Sequence, residues 1–168
     1  MQRNRWELPS VMVCMAVLFV CMAVSQATTP HPIPAAPYTD RLESYHVYDG
    51  DTLTHCQIDL GYGITLSDSI RIVGVDTPEV RGASARAGLV VRDAASEWLS
   101  THETLYLIGR GRDKYGRILG DVQPIGVGQS LSEWLIEKGY AHRYDGGKRP
   151  EWTAEELERI TNGAIADE

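Results

Sequence analysis

Three carboxylates and one arginine are spaced in the sequence so that they could perform chemistry together. Asp51 lies in the turn 49–52, and Asp76 and Glu79 follow an apolar run that contains Arg71. Carboxylate oxygens are the ligands that hard cations prefer, and a guanidinium binds phosphate oxygens with fixed geometry. These residues therefore predict a site that brings together a metal ion and a phosphate group.

Cleaving a phosphodiester needs a cation near the phosphoryl oxygen, a group that positions water, and positive charge for the transition state. Asp51 and Asp76 are the candidate metal ligands, and the Thr77 carbonyl is a further oxygen. Glu79 follows Pro78, which restricts the turn, and Glu79 is the candidate to activate water. Taken singly, each aspartate is more simply explained as an ordinary turn residue, because its side chain can bond nearby backbone amides.

Arg71 and Arg117 are the candidate phosphate-binding residues. Arg71 lies in an apolar strand, where an unpaired guanidinium would be costly to bury, so we expect it to face a cleft that contains carboxylates or phosphate. A structural ion pair with a neighbouring aspartate is the alternative. Arg117 follows Gly116 in the turn 113–117, which also carries Lys114 and Tyr115.

The amino-terminal 27 residues are typical of an export signal. Two arginines precede a nearly unbroken apolar run, Val11–Val24, and small residues end at Ala27, after which we predict cleavage. An uncleaved membrane anchor formed by residues 8–27 is the alternative. The predicted location is secreted or periplasmic after cleavage, and membrane-anchored otherwise.

Cysteine content limits how the exported domain can be stabilised. Two of the three cysteines lie in the predicted leader, so residues 28–168 keep only Cys56 and cannot form an internal disulfide. Cys56 alternates with apolar residues, which favours a buried core position.

Residues 28–168 are acidic, with 14 basic and 22 acidic side chains and a net charge of −8. Because avid nonspecific binding to nucleic acid depends on clustered lysine and arginine, a nuclease of this composition would have to concentrate its positive charge locally. The candidate basic groups are Arg110, Arg112, Lys114 and Arg117, followed by Arg143, Lys148 and Arg149.

Five strand-like runs predict a small β-barrel. They are residues 43–48, 52–60, 70–75, 104–108 and 117–122. Helices are predicted to begin after Ser84, Ser130 and Thr153, the last two with capping boxes. The order is three strands, a helix, two strands and two helices. The proline-rich residues 28–40 predict a linker, and residues 41–168 a single domain.

The turn 49–52, the run 71–79 and the turn 113–117 together resemble the thermonuclease family, the staphylococcal-nuclease-like proteins. The resemblance extends more loosely over residues 45–144. It implies an α+β fold, a five-stranded OB-fold barrel packed with about three helices. It also implies a Ca²⁺-dependent enzyme that hydrolyses DNA and RNA and leaves 3′-phosphate ends.

The resemblance assigns roles to the positions that match the family's motifs. The implied Ca²⁺ ligands are Asp51, Asp76 and Thr77. The implied catalytic residues are Arg71, Glu79 and Arg117. The implied substrate-binding residues are Lys114, Tyr115 and Tyr144. Tyr144 would stack on a substrate base, with Tyr140 as the alternative for that role.

The implied partners are DNA and RNA, single-stranded or locally melted, and we expect a monomer without an obligate protein partner. Two other functions fit the same barrel: a noncatalytic module that binds nucleic acid, and an extracellular domain that Ca²⁺ only stabilises. The loop between Glu79 and the first helix is shorter than in the best-known family member, so the mobility of Glu79 is expected to differ.

Overall fold

A closed five-stranded β-barrel forms the centre of the protein. The structure is a computed structural model that describes residues 38–163. The barrel strands are β1 (Tyr38–Asp49), β2 (Thr52–Asp59), β3 (Thr65–Ile72), β5 (Leu105–Arg112) and β6 (Ile118–Pro124), in the spatial order β1-β2-β3-β6-β5. Strands β3 and β6 pair in parallel, and the other neighbours are antiparallel. The predicted α+β OB-fold barrel is confirmed.

Three helices pack around the barrel: α1 (Ala85–Ser100), α2 (Leu131–Glu137) and α3 (Ala154–Gly163). A single 3₁₀ turn, Gly82–Ser84, precedes α1. The capping box of α2 is formed, because Ser130 Oγ accepts from the Glu133 amide while the Glu133 carboxylate accepts from the Ser130 amide. The three helices and five barrel strands follow one another in the predicted order, but the structure adds two short strands that were not predicted, one before α1 and one between α2 and α3.

The barrel interior is filled by aliphatic side chains, which alternate along the strands with exposed ones. Those that are fully buried include Leu53, Ile58, Ile70, Leu107 and Val122. Cys56 belongs to the same core and is 0% exposed, as predicted, and burial raises the pKa of its thiol to about 12. On α1, Val91, Ala95 and Leu99 are fully buried, which fits a stripe at helical spacing.

The predicted strand 70–75 is in fact two strands. Strand β3 ends at Ile72, and Gly74, with a φ of +79°, starts β4 (Gly74–Asp76). Strand β4 leaves the barrel and pairs with β7 (His142–Tyr144), which the sequence did not predict. The apolar pattern of residues 70–75 is continuous, so it does not show where β3 ends. The break comes from the positive φ of Gly74, which the pattern does not encode.

Two smaller corrections concern element ends. Strand β1 begins at Tyr38, which pairs with Gly109, so residues 38–40 belong to the barrel and not to the predicted linker. Ser84 does not cap α1 with its side chain; its hydroxyl donates to the Glu79 carbonyl at 3.1 Å.

The predicted leader and most of the predicted linker lie outside the described residues. Within residues 38–163, we find no helix with the length and apolar character needed to span a bilayer.

Candidate functional site

The turn between β1 and β2 places Asp51 against β3. The backbone amide of Ile72 donates to the Asp51 carbonyl at 2.8 Å, and Thr52 lies opposite Arg71 in the β2–β3 pairing. Gly50 lets the same turn pack against α1 and Thr77, because a Cβ there would lie 2.5 Å from Val91 Cγ1 and 2.9 Å from Thr77 Cγ2. The strand register therefore brings Asp51 and Arg71 side by side.

Arg71 bridges Asp51 and Asp76, two of the three predicted metal ligands. One terminal nitrogen contacts the Asp51 carboxylate, and the other lies 3.6 Å from Asp76 Oδ1. The guanidinium also donates to the Val75 carbonyl at 3.2 Å. The prediction that Arg71 faces a cleft with carboxylates is confirmed, and the predicted alternative, an ion pair with an aspartate, is part of the same arrangement.

Asp51 and Asp76 are joined by backbone as well as by Arg71. Asp76 ends β4, and the next amide, that of Thr77, donates to Asp51 Oδ2 at 3.0 Å. Asp51, Asp76 and Thr77 are each 3% exposed. The three predicted metal ligands are thus in one buried cluster.

The buried charges of the described residues are all at this place and do not balance. They comprise three aspartates, Asp49, Asp51 and Asp76, and only one arginine, Arg71. Burial raises the pKa of Asp49 and of Asp76, and the nearby Arg149 and Arg71 oppose the rise at Asp76. Asp49 Oδ1 is buried without a hydrogen-bond partner. The half-exposed Arg149 supplies one further positive charge 3.2 Å from Asp76 Oδ1, and the remaining excess of buried carboxylates is expensive unless another is supplied.

The cluster fits a hard cation. The donor type, the carboxylate oxygens of Asp51 and Asp76 beside the backbone of Thr77, is the one that Ca²⁺ prefers, and the buried Asp49 Oδ1 has no hydrogen-bond partner. Among residues 38–163, no group of three or more acidic, histidine or cysteine side chains is arranged to hold a metal. A cation here would therefore depend on two aspartates, the Thr77 carbonyl and water.

A cleft of about 390 Å³ opens beside this cluster. Its lining residues are Tyr48, Asp49, Asp51, Thr52, Arg71, Glu79, Tyr115, Arg117 and Arg149. The predicted catalytic residues Arg71, Glu79 and Arg117 therefore face one space. Its volume is in the range of small-ligand sites, and its lining is unusually rich in charge for such a site.

The β5–β6 turn presents Arg117 to the cleft. Asp113 accepts from the Tyr115 and Arg117 amides at 2.8 and 3.0 Å, which folds the turn, and Gly116 takes a φ of +87°. Arg117 Nε also donates a hydrogen bond to Asp113 Oδ2 at 2.8 Å, and Arg117 Nη2 forms an ion pair with the same oxygen at 2.8 Å. This leaves the Nη1 edge of Arg117 for another acceptor, and its side chain is 30% exposed.

Glu79 lies at the rim, with its side chain 52% exposed. Its backbone is held by the Ser84 hydroxyl and by close packing on Gly88 of α1, where a Cβ would lie 2.8 Å from the Pro78 carbonyl. Its carboxylate contacts Nη1 of Arg149.

The other predicted substrate-binding residues are placed differently. Tyr115 lines the cleft and is exposed, and Lys114 Nζ lies 5.0 Å above the Tyr115 ring. Tyr144 is not among the lining residues, and its hydroxyl donates to the Gly147 carbonyl at 2.9 Å. Tyr140 packs edge-on against Trp134, with ring centroids 5.8 Å apart. Neither of the two predicted stacking tyrosines reaches the cleft in this structure.

Among the lining residues that the sequence did not assign to the site, Arg149 and Tyr48 carry the largest side chains. Arg149 was predicted only as one of several basic loop residues. The glycine pair 146–147 before it is the signal for a tight loop that could bring its side chain into the site. Tyr48 directly precedes the turn 49–52, and Arg81 lies 5.8 Å above its ring. An aromatic residue next to a carboxylate turn is the signal that could have identified it.

A sequence model of the family described as "Staphylococcal nuclease homologue" matches residues 69–167, more than half of the chain. No match to the chain was found among curated proteins. The matched range contains Arg71, Asp76, Glu79 and Arg117, whereas Asp51 precedes it. The place of Asp51 in the site therefore depends on its contacts with Arg71 and Thr77.

Proposed function

The chain belongs to the family of staphylococcal nuclease homologues, and from this premise we propose that it is a secreted, Ca²⁺-dependent nuclease. It hydrolyses phosphodiester bonds of single-stranded or locally melted DNA and RNA and leaves 3′-phosphate ends. The observation that carries the proposal is the convergence of Arg71, Arg117 and Glu79 on one cleft beside the buried aspartates.

Arg71 and Arg117 bind the phosphate from two sides of the cleft. Arg71 is fixed by Asp51 and the Val75 carbonyl, and Arg117 by Asp113, so neither guanidinium has to be ordered when the substrate arrives. Their planar sets of donors suit the phosphoryl oxygens, which gain charge in the transition state. Fixed donors of this kind stabilise the transition state without reorganisation.

Glu79 accepts a proton from the attacking water. Its carboxylate is half-exposed and lies in the same cleft as both arginines, so that it can reach water beside a bound phosphate. The two anchors of its backbone, Ser84 and Gly88, hold it on the α1 side.

Asp51, Asp76 and the Thr77 carbonyl would hold Ca²⁺, which when bound supplies a Lewis-acidic positive charge beside the phosphoryl oxygen. The charge imbalance of the buried cluster supports this assignment. Manganese and magnesium also take oxygen ligands, so the assay below, repeated in Mn²⁺ or Mg²⁺, decides the metal preference.

The test is to incubate the purified protein with single-stranded DNA, single-stranded RNA or duplex DNA, in Ca²⁺ or in chelator, and to analyse the product ends. We expect cleavage of both single strands with Ca²⁺, 3′-phosphate products, and no cleavage in chelator. Binding without cleavage in Ca²⁺ would indicate the noncatalytic module instead. A Ca²⁺-dependent rise in the unfolding midpoint, with neither binding nor cleavage, would indicate a Ca²⁺-stabilised domain.

A further inference from the structure

Arg149 is carried by a loop whose shape is closely determined. Gly146 and Gly147 take φ values of +102° and +86°, which only glycine adopts without strain, and Pro150 restricts the chain after Arg149. The Tyr144 hydroxyl closes the loop by donating to the Gly147 carbonyl at 2.9 Å. Tyr144, predicted to stack on a base, has this supporting role in the structure.

Both ends of the loop are fastened to each other. The His142 and Trp152 rings are stacked, with centroids 3.8 Å apart and planes inclined by 10°. His142 Nε2 also lies 2.9 Å from the Glu156 carboxylate at the start of α3. The segment between β7 and α3 is therefore a closed loop with Arg149 near its tip.

Arg149 spans the two carboxylates on either side of Pro78. Its Nε lies 3.2 Å from Asp76 Oδ1, and its Nη1 contacts Glu79 Oε1. Among the described residues, no other side chain forms a hydrogen bond or ion pair with the Glu79 carboxylate. The direction in which Glu79 points is thus set by Arg149.

We propose that Arg149 is a positioning residue that ties the Glu79 carboxylate to Asp76 and so holds it at the rim of the cleft. The inference rests on the proposed nuclease function, because Glu79 is the group that accepts the proton from water. A planar fork can contact two carboxylates at once, whereas a lysine ammonium is a single point charge on a flexible stem. The half-exposed side chain of Glu79 would otherwise sample several rotamers.

Two other roles would produce different kinetics. If Arg149 only bound a substrate phosphate in the ground state, its loss would raise KM and leave kcat unchanged. If it only stabilised the fold, its loss would lower the unfolding midpoint without a specific effect on kcat. A positioning role predicts a fall in kcat with little change in KM, since the misplaced carboxylate affects the chemical step.

The experiment compares Arg149→Ala and Arg149→Lys with the wild type and with Arg41→Ala. Arg41 is the matched control: its side chain is 54% exposed, against 49% for Arg149, and it pairs with Glu43 on β1, outside the cleft lining. We expect Arg149→Ala to lower kcat by about ten- to a hundredfold with KM within about threefold of the wild type. Arg149→Lys is expected to recover only part of the loss, and Arg41→Ala to match the wild type.

A second measurement needs no catalysis. Urea midpoints of Arg149→Ala, Glu79→Gln and the double variant form a cycle, and the contact predicts shifts that are not additive. Additive shifts, or a rise in KM with unchanged kcat, would overturn the proposal. If the wild type cleaves nothing, the proposed function fails, and the cycle still decides whether Arg149 and Glu79 are coupled.

Discussion

The two sides of the cleft differ in how their charges are held. On the barrel side, Asp51, Arg71 and Asp76 are each less than a tenth exposed and are bound to one another. On the loop side, the Arg117 and Glu79 side chains are 30% and 52% exposed, and each is held by one partner, Asp113 or Arg149. The buried charges on the barrel side therefore contribute both to binding and to the stability of the fold. The exposed charges on the loop side contribute to activity, and losing them is expected to cost the fold little stability.

The largest expected effect is the difference between Arg71→Ala and Arg117→Ala in the free energy of unfolding that each loses. Arg71→Ala leaves Asp51 buried without its cation and Asp76 with only the half-exposed Arg149, so we expect a loss of about 3 to 5 kcal/mol in the free energy of unfolding in chelator. Arg117→Ala removes a partly exposed pair and is expected to cost less than about 1 kcal/mol. Urea unfolding of both variants measures the difference. Similar losses for the two would show that the sides do not differ as described.

A smaller loss of stability is expected for Gly88→Ala on α1. Its α-carbon packs on the Pro78–Glu79 backbone, and a Cβ there would lie 2.8 Å from the Pro78 carbonyl. Alanine gains about 1 kcal/mol in helix propensity, but we expect the overlap to outweigh it, with a net loss of about 1 to 2 kcal/mol and slower cleavage. Gly128→Ala is the control, because its Cβ would meet no atom within 4 Å. A stabilised Gly88→Ala would mean that Glu79 is not seated on α1.

The smallest effect concerns the support of the Arg149 loop. Hydrogen bonds from Thr153 and from His142 lower the pKa of Glu156 from 4.5 to about 2. Because the folded-state pKa is the lower one, this stabilisation is complete above pH 4.5 and is lost as the pH falls towards 2. Glu156→Gln is expected to be slightly less stable at pH 7 and to show a shallower loss of stability over that range. Unchanged pH dependence in Glu156→Gln would exclude this support.

How much of the site was predictable depends on whether its residues are neighbours along strands. Asp51, Arg71 and Asp76 were identified because the motif residues lie at a turn and at strand ends. The register of β2 and β3 brings Asp51 and Arg71 together, and the Thr77 amide joins Asp76, at the end of β4, to Asp51. Arg117 was identified because the Gly116 turn precedes it. The capping boxes at Ser130 and Thr153 are local signals, and both are formed.

The residues that were missed depend on long-range placement. Arg149 reaches Glu79 across 70 positions of sequence, and no local pattern encodes that distance. Strand β7 has only three residues, and it exists because β4 leaves the barrel at Gly74. Tyr144 was assigned to a base by motif position alone, whereas the structure uses its hydroxyl to close the loop.

The most direct test of the account is the rate of single-stranded DNA cleavage by Arg117→Ala at saturating substrate and Ca²⁺. The matched control is Arg92→Ala, an arginine of similar exposure that pairs with Asp93 on α1 outside the cleft. We predict that Arg117→Ala loses about two orders of magnitude or more, about 3 kcal/mol of transition-state stabilisation, while Arg92→Ala keeps the wild-type rate. Equal rates for Arg117→Ala and the wild type would contradict the account.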